Sequence, residues 1–488
     1  MNSEKSVGKL KSIVFAFLVS ITLQSIHTVS KAQITANNSP YSRYGIGDLS
    51  GKGFAQGFAM GGTNIAMQND STGMFFINSG NPASYSNIRL TTAELGVNIS
   101  RLQLQSANNQ QTINNASVGY LSLALPVKKW WGASVGLIPY SSVGYNVSAH
   151  QSINNVGDVD VLYQGSGGVN QVYFGNGIKP LYGLPKMFMK SERYQRLKQE
   201  KKDSTINRIL KRKKSWQSLS LGVNASYMFG SINHEQTSIF PFNSNSFNTQ
   251  TGTTTRIGDV YFDYGAQYAY TIDSLRGRDL KDNVQLLLGA TFATKRNMNA
   301  KIDSLSYTYF DNSAGYQIVK DTIQNSQETK GKITFPLSFG FGLGFKKGDR
   351  WLVASDFAMQ NWGSYTSFNQ SQGLQNSMRI SLGAQFIPNA KINGKGNYYK
   401  RIHYRIGARY AKTSIELQNT QLVENAVTFG LGFPVGRNFI LQNFSMINIG
   451  LEIGQRGTIS NGLIKEQFYK VTLGFTINDK WFVKPKFD

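Results

Sequence analysis

The residues that could do chemistry are few, and their spacing does not assemble a catalytic or metal site. Residues 132–136 (GASVG) spell the GxSxG pattern, which in hydrolases places a serine nucleophile on a turn between a strand and a helix. Here the pattern lies within an alternating strand, and no helix is expected to follow it. The four histidines, at positions 27, 150, 234 and 403, are scattered, and cysteine is absent. The sequence therefore predicts a protein that is not an enzyme and that holds no metal or cofactor.

Positive charge is the second chemical feature, and much of it is concentrated in one place. The net charge is +24, and residues 179–214, called here the basic insert, hold 13 Lys or Arg against 3 Asp or Glu. Tyr194 and Leu197, and later Ile206, Ile209 and Leu210, have helical spacing within this insert. The insert is either a dock for an acidic partner or anionic head groups, or a solvated appendage. The candidate docking cations are Lys190, Arg193, Arg196, Lys201, Lys202, Arg208, Lys211, Arg212, Lys213 and Lys214.

The first 32 residues have the organisation of a secretory signal peptide. Lys5, Lys9 and Lys11 precede the apolar run 13–23, and Val29-Ser30-Lys31-Ala32 supplies a small–x–small end. A buried helix is the alternative for a run of this kind. We expect cleavage after Ala32 and export, so nucleic acid is not an expected partner.

Strand-like alternation dominates the chain from residue 90 to residue 478. In residues 447–453 and 469–477, for example, apolar side chains alternate with small or polar ones. Runs of about ten residues with one apolar and one polar face suit tilted membrane strands, whereas a soluble sandwich has shorter strands. No apolar run reaches the roughly 20 residues of a transmembrane helix. The sequence predicts an all-β, antiparallel transmembrane barrel of about fourteen strands in the outer membrane.

The elements around these strands follow from the same pattern. Residues 33–89 are rich in Gly, Asn and Ser around an apolar centre, Met74 to Ile77, and are predicted to form a plug inside the barrel. An ordinary N-terminal arm is the alternative. Residues 231–255 and 311–330 are expected to be long outer loops, and 479–488 a C-terminal tail. Trp130, Trp131, Trp216, Trp351 and Trp481 are expected at periplasmic strand ends, and Trp362 at an outer end.

The segment Gly61 to Ser86 resembles the hatch of the FadL-like transporters of long-chain fatty acids and hydrocarbons. In that family a glycine pattern, an Asp and an Asn-Pro-Ala precede the first barrel strand, as do Asp70 and Asn81-Pro82-Ala83 here. Residues 39–48 and the ending 479–488 are similar to the branch of the family found in gliding and gum-dwelling bacteria. That branch includes the PorV-type subunit of type IX secretion, which acts as a partner and not as a solute channel.

The resemblance implies a lateral exit for ligand at a kink in the third strand. In the corresponding run, residues 131–147, the strand is interrupted by Gly136, Pro139 and Gly144, and Tyr140 lies beside the proline. Because proline cannot donate to a sheet ladder, Pro139 predicts a bulge or a local opening. A lateral gate at residues 137–140 and a simple strand-end bend both fit this pattern.

Passive uptake of hydrophobic small molecules across the outer membrane is the function these features favour. The plug residues expected to hold or release ligand are Met74, Phe75, Phe76, Asn78, Asn81, Pro82 and Ala83. Burial of apolar area would drive such binding. The alternative is a barrel subunit that docks, through the basic insert, on a large outer-membrane or periplasmic protein of a secretion or assembly machine.

Overall fold

The structure is a computed structural model that describes residues 39–69, 76–154, 156–241, 246–272, 284–312, 316–389, 397–438, 443–479 and 481. These residues belong to one compact unit. The signal peptide predicted at 1–32 lies outside the described residues, as do Met74, Phe75 and all but two residues of the predicted tail. The expectations about those residues therefore stay predictions.

Nineteen strands and four α-helices make up the regular structure of the described residues. The strands are β1 (Asp48–Leu49), β2 (Thr91–Gln105), β3 (Gln110–Lys128), β4 (Trp131–Ile153), β5 (Gly157–Ile178), β6 (Ser220–Ile239), β7 (Asn248–Ile272), β8 (Val284–Ala293), β9 (Arg296–Asp311), β10 (Gln317–Phe335), β11 (Ser338–Lys347), β12 (Trp351–Gln360), β13 (Thr366–Ser367), β14 (Gln370–Ser371), β15 (Ser377–Phe386), β16 (His403–Leu417), β17 (Thr420–Asn438), β18 (Asn443–Arg456) and β19 (Lys465–Asp479). The helices are α1 (Ala55–Phe58), α2 (Leu184–Met189), α3 (Glu192–Gln199) and α4 (Asp203–Trp216). Short 3-10 helices include Pro40–Arg43, Pro82–Asn87 and Trp362–Ser364.

The long strands close into an antiparallel barrel of 14 strands. Both β8 and β9 pair with β7, so together they form one interrupted wall strand. On its other side, β10 pairs with β9 and β11 pairs with β8, so β10 and β11 together form the next interrupted wall strand. The ring closes where β19 pairs with β2, from Asp479 opposite Thr91 to Lys465 opposite Gln105. The all-β antiparallel barrel of about fourteen strands predicted from the sequence is confirmed.

Alternation along the strands places an apolar face outward. On β11, Phe341, Leu343 and Phe345 are exposed, whereas the intervening glycines point inward. The same outward apolar face recurs on β4, β6, β15 and β17. This belt matches the lipid-facing surface of an outer-membrane barrel. Within the described residues, helices long and apolar enough to cross a membrane do not occur.

The outer end of the barrel differs from the expectation of long loops. Within the predicted loops 231–255 and 311–330, residues 231–239, 248–255 and 317–330 instead continue β6, β7 and β10 beyond the apolar belt. Threonine-rich sequence in this region pairs well in strands, and both strand faces are wet there, so the apolar alternation disappears while the ladder continues. Trp362 follows the outer end of β12 as predicted, but its side chain is 2% exposed and packs with Tyr365 rather than at a lipid interface.

The N-terminal segment, residues 39–69 and 76–90, lies within the ring of strands. Its main chain donates hydrogen bonds to the side chains of Glu94 on β2, Asp356 on β12 and Thr428 on β17. These partners lie on widely separated parts of the wall, and a short segment reaches all of them only from the interior. The segment starts near the outer loops, where Tyr41 meets Ile464, and reaches the opposite end of the barrel at residue 90.

Candidate functional site

The seam between β3 and β4 is broken in its outer half. The two strands pair from Lys128 opposite Trp131 up to Leu121 opposite Leu137, and the ladder ends there. Beyond that point β3 continues to pair with β2, and β4 with β5. The break begins two residues before Pro139, which lacks the N–H that a neighbouring strand would bind. An irregularity in the β4–β5 register, between Pro139 and Ser141, leaves Tyr140 unpaired there.

The N-terminal segment covers the free edge of β4 above this break. Strand β1 pairs with β4, Asp48 opposite Ser142 and Leu49 opposite Ser141. The Ser50 N–H donates to the carbonyl of Tyr140 at 2.9 Å, and the Ser141 hydroxyl donates to the carbonyl of Ile46 at 2.7 Å. Gly144 N–H donates to the Ser42 hydroxyl at 3.1 Å. Residues 42–50, called here the cover, therefore take the place of β3 along this edge.

Gly47 allows the cover to lie this close to β4. Its φ is +97°, and a Cβ there would lie 2.4 Å from the carbonyl oxygen of Ser142. Only glycine accepts both the left-handed backbone and the close approach.

Arg456 of β18 fixes the other side of the cover. Its guanidinium donates to the Asp48 carboxylate at 2.8 and 3.2 Å and to Glu466 at 2.7 Å. Tyr41, beneath the same guanidinium, donates its hydroxyl to the carbonyl of Ile464 at 2.7 Å. Burial raises the pKa of Tyr41, so its hydroxyl stays protonated and can make this bond. The cover is thus held between β4 and β18.

A cavity of about 240 Å³ lies against the inner side of the cover. Gly45 and Ile46 of the cover form part of its lining, together with Ile232, Ile333 and Phe368. Polar side chains share the lining, among them His234, Thr253, Gln370 and Gln372. The cover therefore contributes both to the lining of this cavity, through Gly45 and Ile46, and to the pairing with the edge of β4.

The predicted gate residues have different neighbours in this arrangement. Gly136 lies below the break, where a Cβ would be 2.7 Å from the carbonyl oxygen of Leu121. Tyr140 stacks on Phe335 at 5.6 Å between ring centres, at the edge of an apolar cluster that fills the outer half of the lumen. Gly144 binds the cover directly. The structure therefore brings Pro139, Tyr140 and Gly144 to the broken seam and leaves Gly136 in the intact ladder.

The described plug residues are all buried and engaged. Phe76 packs with Met60, Met67 and Leu287, and the Asn78 amide donates to the carbonyls of Asn64 and Met67. Pro82 and Ala83 open the 3-10 helix that packs against the β5 and β6 ends. Met74 and Phe75 lie outside the described residues. These contacts give Phe76, Asn78, Pro82 and Ala83 a holding role, and ligand contact at them stays a prediction.

Asn81 joins the N-terminal segment to two wall strands. Its amide donates to the carbonyls of Ile65 at 2.7 Å, Ala266 of β7 at 3.2 Å and Ala290 of β8 at 3.3 Å. Its side-chain oxygen accepts the N–H of Ala83 at 3.1 Å and so caps the 3-10 helix. A fully buried amide with four partners is a structural joint.

Sequence reasoning missed a girdle of inward-facing glycines. On most wall strands, a Cβ added at one glycine would lie under 3 Å from the N-terminal segment or from a side chain packed with it. Several are direct partners across strands, as Gly132 is to Gly177 and Gly177 to Gly222. The girdle residues that touch the segment are Gly132, Gly175, Gly177, Gly222, Gly265, Gly289, Gly342, Gly383, Gly407, Gly430 and Gly474. The sequence signal that could have revealed the girdle is a glycine at the same depth in successive strands.

Polar side chains in the barrel interior bind and hold neighbouring groups in place. Ser134 of the GxSxG pattern lies within β4 and donates to the carbonyl of Leu123 at 3.2 Å, so the nucleophile turn is absent from this described stretch. Arg409 binds Glu424 at 2.7 Å and Glu452 at 2.8 Å in the lumen. Among the described residues, no group of three or more His, Asp or Glu could hold a metal ion.

The basic insert folds as three helices at the end of the barrel where β5 stops and β6 starts. Phe188 and Ile206 are its buried centre, and the Tyr194 ring meets Phe188 edge-on at 5.6 Å. Most of the predicted docking cations are exposed: Lys190, Arg193, Arg196, Lys201, Lys202, Arg208, Lys211 and Arg212. Lys213 lies over the Phe188 ring, and the side chain of Lys214 is outside what the structure describes. The residues with helical spacing thus form the inner face of the insert.

A family model described as BamG matches residues 10–185 and 211–488. The chain belongs to the BamG family. The unmatched residues, 186–210, contain most of the basic insert, so the insert lies largely outside the pattern that BamG chains share. No curated protein matches the chain in sequence.

Several solved structures resemble this BamG-family barrel. A Pseudomonas aeruginosa FadL homologue matches with a TM-score of 0.49 at 9% identity, over 89% of this chain and 99% of that one. The P. putida toluene transporter TodX matches with a TM-score of 0.47 at 14% identity, over 90% and 100%. The CymD monoaromatic hydrocarbon channel matches with a TM-score of 0.45 at 12% identity, over 88% and 98%. The first of these structures carries the name of the FadL family, which the sequence resembles.

Proposed function

We propose that this barrel passes hydrophobic small molecules from its outer cavity into the membrane through the broken seam between β3 and β4. The observation that carries the proposal is the end of the β3–β4 ladder at Leu121 and Leu137, with the cover on the free edge of β4. A barrel that serves only as a rigid wall gains nothing from an unpaired edge within the membrane, since unpaired backbone groups there are costly.

The route begins at the cavity next to the cover. The apolar lining residues Ile232, Ile333 and Phe368 would hold the ligand by burial of apolar surface. Movement of residues 42–50 would then open the seam beside Pro139 and let the ligand leave sideways. The N-terminal segment below, fixed on the glycine girdle, would block passage straight through to the periplasm.

Uptake and co-purification test this proposal together. Cells that express the chain should take up radiolabelled oleate or toluene faster than cells that express a variant in which β4 pairs with β3 along the whole seam. Protein purified gently from the native outer membrane should carry an apolar ligand that mass spectrometry identifies. Neither uptake nor bound ligand would be found if the barrel did not conduct.

A second function, as a subunit of an outer-membrane secretion or assembly machine, is favoured by the tight filling of the lumen. The N-terminal segment contacts strand backbone around the girdle, and an apolar cluster of Trp362, Tyr365, Phe335 and others occupies much of the outer half beside the cavity. Under this alternative the barrel is a closed body that docks on a large protein. A stoichiometric protein that co-purifies, and that is lost on deletion of residues 190–214, would support it and would count against the channel.

A further inference from the structure

The basic insert carries far more positive charge than its own carboxylates neutralise. Residues 179–214 hold 13 cations and 3 acids, and most of the cationic side chains are exposed. One ion pair within the insert, Lys202 to Glu200 at 2.7 Å, is among the described contacts. The surplus therefore faces solvent or a ligand with negative charge.

The end of the insert packs against the outward, lipid-facing side of the barrel wall. Trp216, at the end of α4, packs beside the Tyr268 ring at 6.0 Å, and the Ser215 and Tyr268 hydroxyls are 2.6 Å apart. Tyr268 alternates with the inward-facing Gln267 and shares the outward face of β7 with Tyr264 and Tyr270, which are exposed. The seat of α4 is thus in the aromatic belt, where a membrane protein meets head groups.

Exposed apolar side chains accompany the cations. Met187 and Met189 of α2 are 68% and 41% exposed, with Lys186 and Lys190 beside them in sequence. Met and Trp side chains next to Lys and Arg are the combination by which interfacial segments insert in the head-group region. A solvated appendage has no reason to expose two methionines among its cations.

We infer that the basic insert binds anionic phospholipid head groups of the leaflet around this end of the barrel. The phosphates would pair with exposed cations of α3 and α4, while Met187, Met189 and Trp216 enter the apolar edge of the leaflet. The position of the basic insert favours lipid over an acidic protein as its ligand, because the insert that carries the cations and the apolar side chains already contacts the lipid-facing wall. The inference does not depend on whether the barrel conducts.

Lipid selectivity of the purified full-length protein tests the inference. The protein in dodecyl maltoside is titrated with dioctanoyl phosphatidylglycerol or dioctanoyl phosphatidylcholine, and bound lipid is counted by native mass spectrometry. The test variant carries R193Q, R196Q, R208Q, R212Q and K190Q. A matched control neutralises five exposed cations at the outer end: R101Q, K320Q, K330Q, K332Q and K412Q.

We expect wild type and control to prefer phosphatidylglycerol by about tenfold, and the test variant by less than about twofold. High salt should reduce the wild-type preference, since it screens exposed charges. Inorganic phosphate at millimolar concentration should not displace the lipid; displacement would mean a free-anion site and overturn the lipid assignment. Equal binding of both lipids by wild type, or an equal loss in the control, would also overturn it. So would an acidic protein that binds through the same five residues without lipid selectivity. Heat-modifiable gel mobility verifies that each variant is folded.

Discussion

Removal of the Asp48 carboxylate should loosen the cover without loosening the rest of the N-terminal segment. In the structure Asp48 accepts two hydrogen bonds from Arg456, with side chains 25% and 13% exposed. In an Asp48→Ala variant, Arg456 keeps its second partner, Glu466, so it is not left as an unpaired buried charge. The loss is therefore that of charge-assisted hydrogen bonds to one group.

The size of the effect follows from this geometry. Hydrogen bonds to charged groups contribute about 1.5–3 kcal/mol, so we take about 2 kcal/mol for the partly exposed Asp48. Because about 1.4 kcal/mol corresponds to a tenfold change in an equilibrium, the population with the cover detached should rise about 30-fold. The β1–β4 hydrogen bonds remain and limit the change to the cover.

Hydrogen exchange measured by mass spectrometry is the suitable assay. Amides of residues 42–50 should exchange about 30-fold faster in Asp48→Ala, and amides of residues 54–66 should not change. Asp303→Ala, which removes the Asp303–Arg256 pair of the outer wall, is the control and should leave both regions unchanged. Unchanged exchange at 42–50, or an equal increase at 54–66, would refute the idea that the cover is a separately movable unit.

The surroundings of Gly222, Asn81 and Lys179 each give a further prediction. Gly222→Val should lower the thermal midpoint of the gel-mobility shift strongly, because a Cβ there lies 2.3 Å from Pro82 backbone, whereas Gly252→Val, with its nearest atom at 4.0 Å, should not. Asn81→Asp should destabilise more than Asn81→Ala in urea, because it sets a carboxylate oxygen against three carbonyls that now accept N–H donors; equal losses would contradict this. Burial and the charge of Arg89 lower the pKa of Lys179 to about 8 from 10.5, so the native state binds fewer protons than the unfolded state between those values. Stability should therefore rise by about 2 kcal/mol from about pH 7.5 to about pH 10, and Lys179→Met should abolish that rise.

The wall of the barrel was predictable because lipid imposes a strict rule on each strand. Outside the belt that rule ends. This is why residues 231–239, 248–255 and 317–330 were predicted to be loops although they pair as strands. The break near Pro139 was visible because a missing N–H is a property of one residue type. What covers the break was not, since the β1–β4 pairing joins residues far apart in sequence with no apolar pattern of their own.

The glycine girdle escaped sequence reasoning for a related reason. Glycine is neutral in an alternation pattern, so Gly222 or Gly383 reads as an ordinary strand residue. Its role appears only when the strand register aligns it with neighbours and the N-terminal segment is seen against it. The burial of Trp362 was not predictable, because aromatic residues at strand ends suit both a lipid interface and a buried core.

A reversible lock on the cover tests the lateral route most directly. Ser50 and Tyr140 form a hydrogen-bonded pair, so the neighbouring pair, Leu49 and Ser141, is a non-hydrogen-bonded one. Cα atoms in such pairs are about 4.5 Å apart, within the usual disulfide range of about 4.4–6.8 Å. The natural chain has no cysteine, so Leu49→Cys with Ser141→Cys creates a single defined bond. Ser100→Cys with Asn115→Cys, an aligned pair on β2 and β3, is the control.

Uptake of radiolabelled oleate and toluene is then measured in cells with each pair oxidised and again after reduction. The lateral route predicts that oxidation of the Leu49–Ser141 pair abolishes uptake, that reduction restores it, and that the Ser100–Asn115 pair has no effect. Equal uptake through the oxidised and the reduced cover would contradict the proposed exit at the β3–β4 seam.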